Sequence, residues 1–286
     1  MSNNMNCFIG CESSYKDAKI ILYGVPFDNT TSFRPGARFG SQAIRNESYG
    51  LEEYSIYQDT RLSDYAIHDA FDLECPFGDT KGSLAIIEKF SSKVVKDNKI
   101  PVALGGEHLI SYACIKPLIH KYPDLTVIHF DAHTDLREEY LKQKLSHATV
   151  MRRISEIVKD KHIYQFGIRS GEKDEFIFAD THTNMYKYDL NALTKAIAIL
   201  RGTPIYLSLD LDVLDPSVFC GTGTPEPGGI SFKELHNAIL ALKGLNIVGA
   251  DIVELSPHYD TSGASTAVAC KITREILLTI GGNINE

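Results

Sequence analysis

The chain has 286 residues, 43% of them hydrophobic and 23% charged, with a formal net charge of −8. That length and apolar fraction suit one large α/β domain with a sizeable core, and the acidic balance argues against a nucleic-acid partner. The opening MSNNMNCFIGCESS lacks the basic and apolar regions of a secretion signal, and no apolar run could span a bilayer, so a cytoplasmic protein with no membrane partner is expected.

In chain order, residues 1–18 read as an N-terminal extension, its order or flexibility left open by the sequence, of a single domain filling 1–286. Apolar, strand-like runs follow at 19–25, 101–104, 125–130, 163–168, 204–211 and 246–253. Helical patterns lie between them at 82–98, 109–121, 148–161, 190–200 and 231–242. The last opens on the capping box Ser231-Phe-Lys-Glu234 and stops at Gly244. No linker or internal repeat interrupts the alternation. Strands alternating with helices imply βαβ units, hence a three-layer α/β/α domain on a mostly parallel central sheet. The near-continuous apolar strands agree, because parallel strands are buried on both faces.

In such sheets functional groups gather beyond the carboxyl ends of the strands. Four strand ends here carry ligand-type residues. Gly105-Gly106-Glu107-His108 follows the second run, and Asp131-Ala-His133-Thr-Asp135 follows the third. Asp210-Leu-Asp212 ends the fifth run and Glu254 ends the sixth. Alternate residues of a strand share a face, so Asp131, His133 and Asp135 converge, and burying them without a cation is costly. Two histidines and four aspartates exceed what one tetrahedral ion takes. Two divalent ions with bridging carboxylates fit the count, and four aspartates balance their charge. The mixture of carboxylate and imidazole suits manganese while leaving iron, cobalt, nickel or zinc open. Metal-assisted hydrolysis is the expected reaction class.

Other residues of the same types read as structural. Asp215, ahead of Pro216, reads as a turn residue. His129 lies inside its strand and reads as a core histidine or one that supports a ligand. His120, His162, His182 and His236 fall in helix or loop patterns. The six cysteines (Cys7, Cys11, Cys75, Cys114, Cys220 and Cys270) have no C-x-x-C spacing and read as reduced thiols.

Together, GGEH (105–108), DAHTD (131–135) and SLDLDVLDP (208–216) resemble the metal motifs of the ureohydrolase (arginase and agmatinase) family, most closely its agmatinases. GVPFDNTTSFRPGARFG (24–40), SHATVMRR (146–153), GIRSG (167–171), GTGTPEPGG (221–229) and DIVELSPHYD (251–260) extend the match over nearly the whole chain. The resemblance implies an arginase-like fold, two Mn2+ ions per subunit, a homo-oligomer (trimer or hexamer) and a small cationic guanidino substrate. It further implies hydrolysis of agmatine to putrescine and urea by a metal-bridging hydroxide, a step of polyamine synthesis. One ion would be held by His108, Asp131, Asp135 and Asp210, the other by His133, Asp131, Asp210 and Asp212. Asp135 would pass a proton to the leaving amine, His147 would shuttle protons, and Glu254 would pair with the guanidinium.

Two departures stand out: Glu107, where the family often has Asp, and His258 at the expected mouth of the site. In the loop after HTD, the adjacent acids Glu138 and Glu139 are expected to repel the α-carboxylate of arginine, with Arg137 acting against them. Arginase, guanidinobutyrase and formiminoglutamase activities are the alternatives within the family. A non-enzymatic relative would have lost a ligand, and none of the six is missing.

Overall fold

The computed structural model describes residues 7–285. Its main sheet has eight strands: β1 (Ile20–Gly24), β4 (Ile67–Asp72), β5 (Ile100–Leu104), β6 (Thr126–Phe130), β7 (Ile163–Ile168), β8 (Asn184–Lys187), β9 (Ile205–Asp210) and β10 (Ile247–Val253). They lie in the order β4-β1-β5-β10-β9-β6-β7-β8, and every neighbouring pair is parallel. A separate antiparallel ribbon joins β2 (Tyr54–Ser55) to β3 (Thr60–Arg61).

The helices are α1 (Gly40–Ser48), α2 (Thr80–Lys96), α3 (Ile110–Lys121), α4 (Val150–Ser155), α5 (Lys173–His182), α6 (Leu193–Leu200), α7 (Phe232–Ala241) and α8 (Ala264–Asn285). Alternation along β6 sorts them into two layers. Val127 packs with Ile87 of α2, Ala113 of α3 and Met151 of α4. Ile128 and Phe130 pack on the other face with Ala196 of α6, Ile239 of α7 and Ile276 of α8. Sheet neighbours stand about 4.8 Å apart, so stacking a helix layer on each side buries both faces. The result is the expected three-layer α/β/α fold.

The structure differs from the expected elements where the apolar signal is weak. The edge strands β4 and β8 are built from IHDAFD and NMYK, which are too polar to stand out as apolar runs. The helix expected over 148–161 ends at Ser155, although Ile157 and Val158 still pack on the core. Helices α1, α5 and α8 were not anticipated. Of the N-terminal extension, residues 1–6 lie outside the described residues. From Cys7 onward the extension is packed: Phe8 and Cys11 are buried, and the Phe8 N–H donates to Asp69 at 2.8 Å. Arg45 anchors the same Asp69 through Nε at 2.7 Å and Nη2 at 2.9 Å. No helix among the described residues is long and apolar enough to cross a membrane.

Candidate metal centre and active site

The four ligand-bearing tips belong to β5, β10, β9 and β6, which are consecutive in the sheet. At strand spacing they span about 14 Å at the carboxyl edge. Parallel order makes all four tips leave in the same direction, so side chains far apart in sequence meet at one place.

His108 is the hub. Its Nδ1 lies 3.1 Å from Asp131 Oδ2, 3.1 Å from Asp135 Oδ2 and 3.2 Å from Asp210 Oδ2. One nitrogen cannot donate to three carboxylates, and this buried atom has no well-aligned hydrogen bond at all. Its other nitrogen, Nε2, meets Ser208 Oγ at 2.9 Å, and Ser208 donates to Asp251 Oδ1 at 2.8 Å. Because Ser208 spends its proton on Asp251, it accepts from Nε2–H, which leaves Nδ1 bare in the neutral ring that a cation would meet. A bare imidazole nitrogen ringed by three buried carboxylate oxygens fits a cation.

A second centre adjoins the first. His133 Nδ1 lies 3.1 Å from Asp212 Oδ2 and 3.5 Å from Asp131 Oδ1. Asp131 therefore turns one oxygen to each histidine, the posture of a bridging carboxylate. Ligand atoms of Asp131, His133 and Asp212 lie within 4.8 Å of one another, as do those of His108, His129 and Asp131. His129 supports Asp131 from inside the strand: its Nε2 stands 2.8 Å from Oδ2, and its Nδ1 takes the amide of Gln165 at 3.1 Å. Both of its nitrogens are thus engaged.

The local backbone serves these contacts. A Cβ on Gly106 would stand 2.1 Å from the Phe27 carbonyl oxygen, so only glycine lets the β5 tip pass there. Asp135 and Glu254 hold φ of 53° and 67°, left-handed conformations that cost non-glycine residues about 1–3 kcal/mol each. The Arg169 guanidinium donates to the carbonyls of Asp212 (2.8 Å), Val213 (3.1 Å) and Glu226 (2.7 Å), tying the β9 tip to the GTGTPEPGG loop.

The electrostatics show a carboxylate cluster that draws positive charge: against their burial, Asp131, Asp135 and Asp210 raise His108, and Asp212 and Asp131 raise His133, well above the usual imidazole range. Burial, then Asp131, pushes Asp135 up to about 7. Burial, then Asp212 and Asp131, raises Asp210 well above the carboxylate range. Asp131 moves down because His129, His108 and His133 outweigh its burial. Within ion-pair reach of these aspartates, among the described residues, stand the histidines His108, His129 and His133. Burial, then Glu107, raises Glu254 well above its usual range, and its Oε1 accepts the His108 N–H at 2.8 Å.

A cavity of about 220 Å³ opens beside these groups, lined by His133, Asp135, Asp210, His147 and Glu254 among others. His147 is nearly buried. Burial, then His133 and His108, lowers it to about 4. The structure thus brings His108, Asp131, His133, Asp135, Asp210, Asp212, His147 and Glu254 to one place.

Other expectations fare differently. Glu138 and Glu139 do not line the cavity. Besides Asp135, Asp210 and Glu254, the acids that do are Glu172 and Glu175, and Arg137 Nη2 lies 3.3 Å from Glu172 Oε1. The 138–139 pair instead lines a neighbouring cleft with Arg152, Asp174 and Glu175. His258 packs on Phe39 (centroids 4.8 Å apart) rather than lining the cavity. Asp215 is a turn residue, taking the N–H groups of Ser217, Gly228 and Gly229. Glu107 is fully buried, bonded to Thr30 and Thr31, and burial pushes it up to about 7. Ser208, Asp251, Gln165 and Arg169 went unremarked in the sequence. A buried acid inside the apolar run of β10 was the one available signal for Asp251.

The family model "Arginase family" matches residues 18–279. The chain belongs to the arginase family. It is 46% identical to the agmatinase of Bacillus cereus, over 95% of both chains. It is 38% identical to the N(1)-aminopropylagmatine ureohydrolase of Thermococcus kodakarensis, over 84% of this chain and 83% of that one. Among solved structures, one from Clostridium difficile superposes with a TM-score of 0.93 at 52% identity, covering 95% of this chain and 100% of the other. The agmatine ureohydrolase of Thermoplasma volcanium gives 0.89 at 31% identity, covering 98% and 96%.

Proposed function

We propose that this single-domain chain hydrolyses agmatine to putrescine and urea at a two-manganese centre. The observation that carries the reading is the bare His108 Nδ1 facing Asp131, Asp135 and Asp210. Likeness to relatives named agmatinase supports the choice of agmatine. His108, Asp131, Asp135 and Asp210 would hold one ion, and His133, Asp131, Asp210 and Asp212 the other. Bound there, the pair of cations lowers the pKa of a water toward neutrality and supplies the nucleophile.

The chain's own groups do the rest. Glu254, buried and otherwise in need of a cation, accepts N–H bonds from the planar guanidinium and fixes its central carbon. Asp135 takes the proton of the attacking water and delivers it to the leaving nitrogen. The C–N bond breaks and releases urea and the primary amine. His147, on the cavity wall, exchanges protons between the site and solvent. The test is urea release by manganese-loaded protein from agmatine, arginine, guanidinobutyrate and formiminoglutamate. Agmatine should be cleaved fastest by more than tenfold, and an equal or reversed order refutes the assignment.

A further inference from the structure

Residues 29–32 form no regular element, yet two of them, Thr30 and Ser32, bond directly to His147. The Ser32 N–H donates to His147 Nε2 at 3.2 Å, and Ser32 Oγ lies 2.9 Å from the same nitrogen. The His147 N–H donates to Thr30 Oγ1 at 3.0 Å. Thr30 is fastened in turn: its N–H donates to Glu107 Oε2 at 3.0 Å, and its hydroxyl donates to Glu107 Oε1. Thr31 Oγ1 adds a bond to Glu107 Oε2 at 2.9 Å. Three consecutive residues are thus held between a fully buried carboxylate and the His147 ring and main chain.

We propose that Ser32 is a positioning residue for His147, its hydroxyl fixing the plane of the ring while its main-chain N–H, which any side chain at 32 retains, sets the tautomer. A main-chain N–H can only donate, so Nε2 accepts and the proton of the neutral ring sits on Nδ1. The Ser32 hydroxyl doubles the clamp on Nε2, and Ser32 itself lines the cavity, so the clamp forms at the wall that substrate meets. Glu107 braces the clamp from behind. Its two oxygens accept from Thr30 and Thr31, so the acid beside His108 links a strand tip of the metal centre to the proton-handling side chain.

This rests on the proton-carrying role given to His147 above, and the experiment separates the two. Manganese-loaded Ser32→Ala, Ser32→Thr and His147→Asn are assayed for kcat and KM. His147 carbethoxylation by diethyl pyrocarbonate is followed at neutral pH by peptide mass mapping, and Thr30→Val serves as a second probe of the clamp. The expected result is that Ser32→Ala lowers kcat about tenfold with KM within about twofold. His147 should be modified several times faster, while Ser32→Thr restores both readings. Wild-type kcat and modification rate in Ser32→Ala overturn the proposal. So does equal impairment of the Ala and Thr variants with His147 modification unchanged. If Ser32→Ala melts early, Thr30→Val is read by the same criteria. His147→Asn with full activity overturns both readings, whereas an inactive His147→Asn beside an unaffected Ser32→Ala overturns only this one.

Discussion

His108 Nε2 and Ser208 Oγ lie 2.9 Å apart, and the Ser208 proton is already committed to Asp251. The serine therefore holds the imidazole proton on the side away from the aspartates. Ser208→Ala removes that acceptor and lets the proton move to Nδ1, where a cation must bind. Loss of such a supporting bond typically weakens metal binding about 10–100-fold. Manganese titration by calorimetry checks this, and unchanged affinity contradicts it.

Chelation should abolish urea release, and added manganese should restore it. Each cation at about 100 times its dissociation constant stabilises the folded chain by about 2.7 kcal/mol, so two contribute about 5.4 kcal/mol. At roughly 2–4 °C per kcal/mol for a chain of this size, the melting temperature should fall by about 11–22 °C on stripping both. A melting curve insensitive to manganese would contradict the two-ion site.

Glu254→Gln keeps the shape and the bond from the His108 N–H but loses the charge that meets a guanidinium. Truncating one partner of a buried charge pair costs about 2–5 kcal/mol, so kcat/KM should fall at least about thirtyfold. Metal content, measured on the same sample, should not change.

Glu172 sits at the rim with its side chain 67% exposed and Arg137 beside it. Solvent limits such exposed pairs to about 0–1 kcal/mol, so Glu172→Gln should raise KM for agmatine less than about fivefold. Turnover should stay unchanged. A large loss of kcat would show that the rim carries more of the chemistry than its exposure suggests.

Gly106→Ala places a methyl group against the Phe27 carbonyl oxygen, with no flexible side chain to yield. Relief requires the β5 tip to shift, costing at least about 1–3 kcal/mol. Reduced manganese occupancy should accompany the lower melting temperature. A stable, fully loaded variant would contradict the close approach.

The interior strands were legible because each is a largely apolar run, and four of them, β5, β6, β9 and β10, lead into acids or histidine. Parallel order then made it inescapable that Asp131, Asp210 and His108 share a rim. The edge strands were not legible, since β4 and β8 each have only one neighbour in the sheet and keep a polar pattern. The supporting residues escaped for a different reason. Ser208, Gln165 and Ser32 act through hydrogen bonds to partners far off in sequence, and nothing local in their composition marks them. The acids expected at the cavity wall were misassigned because spacing along a loop does not say which way the loop turns. Glu138 and Glu139 line a neighbouring cleft, while Glu172 arrives as the N-cap of α5.

The left-handed backbone at Asp135 and Glu254 sets evolution two opposed demands at the same positions. Glycine at either would relieve the local strain and remove a buried acid, so a library screened only for surviving heat would drift toward tougher, inert chains. Part of this molecule's fragility is thus located at the two acids to which the proposed reaction assigns its proton transfer and its substrate contact, and on that proposal hardening for industrial use has to begin elsewhere in the fold.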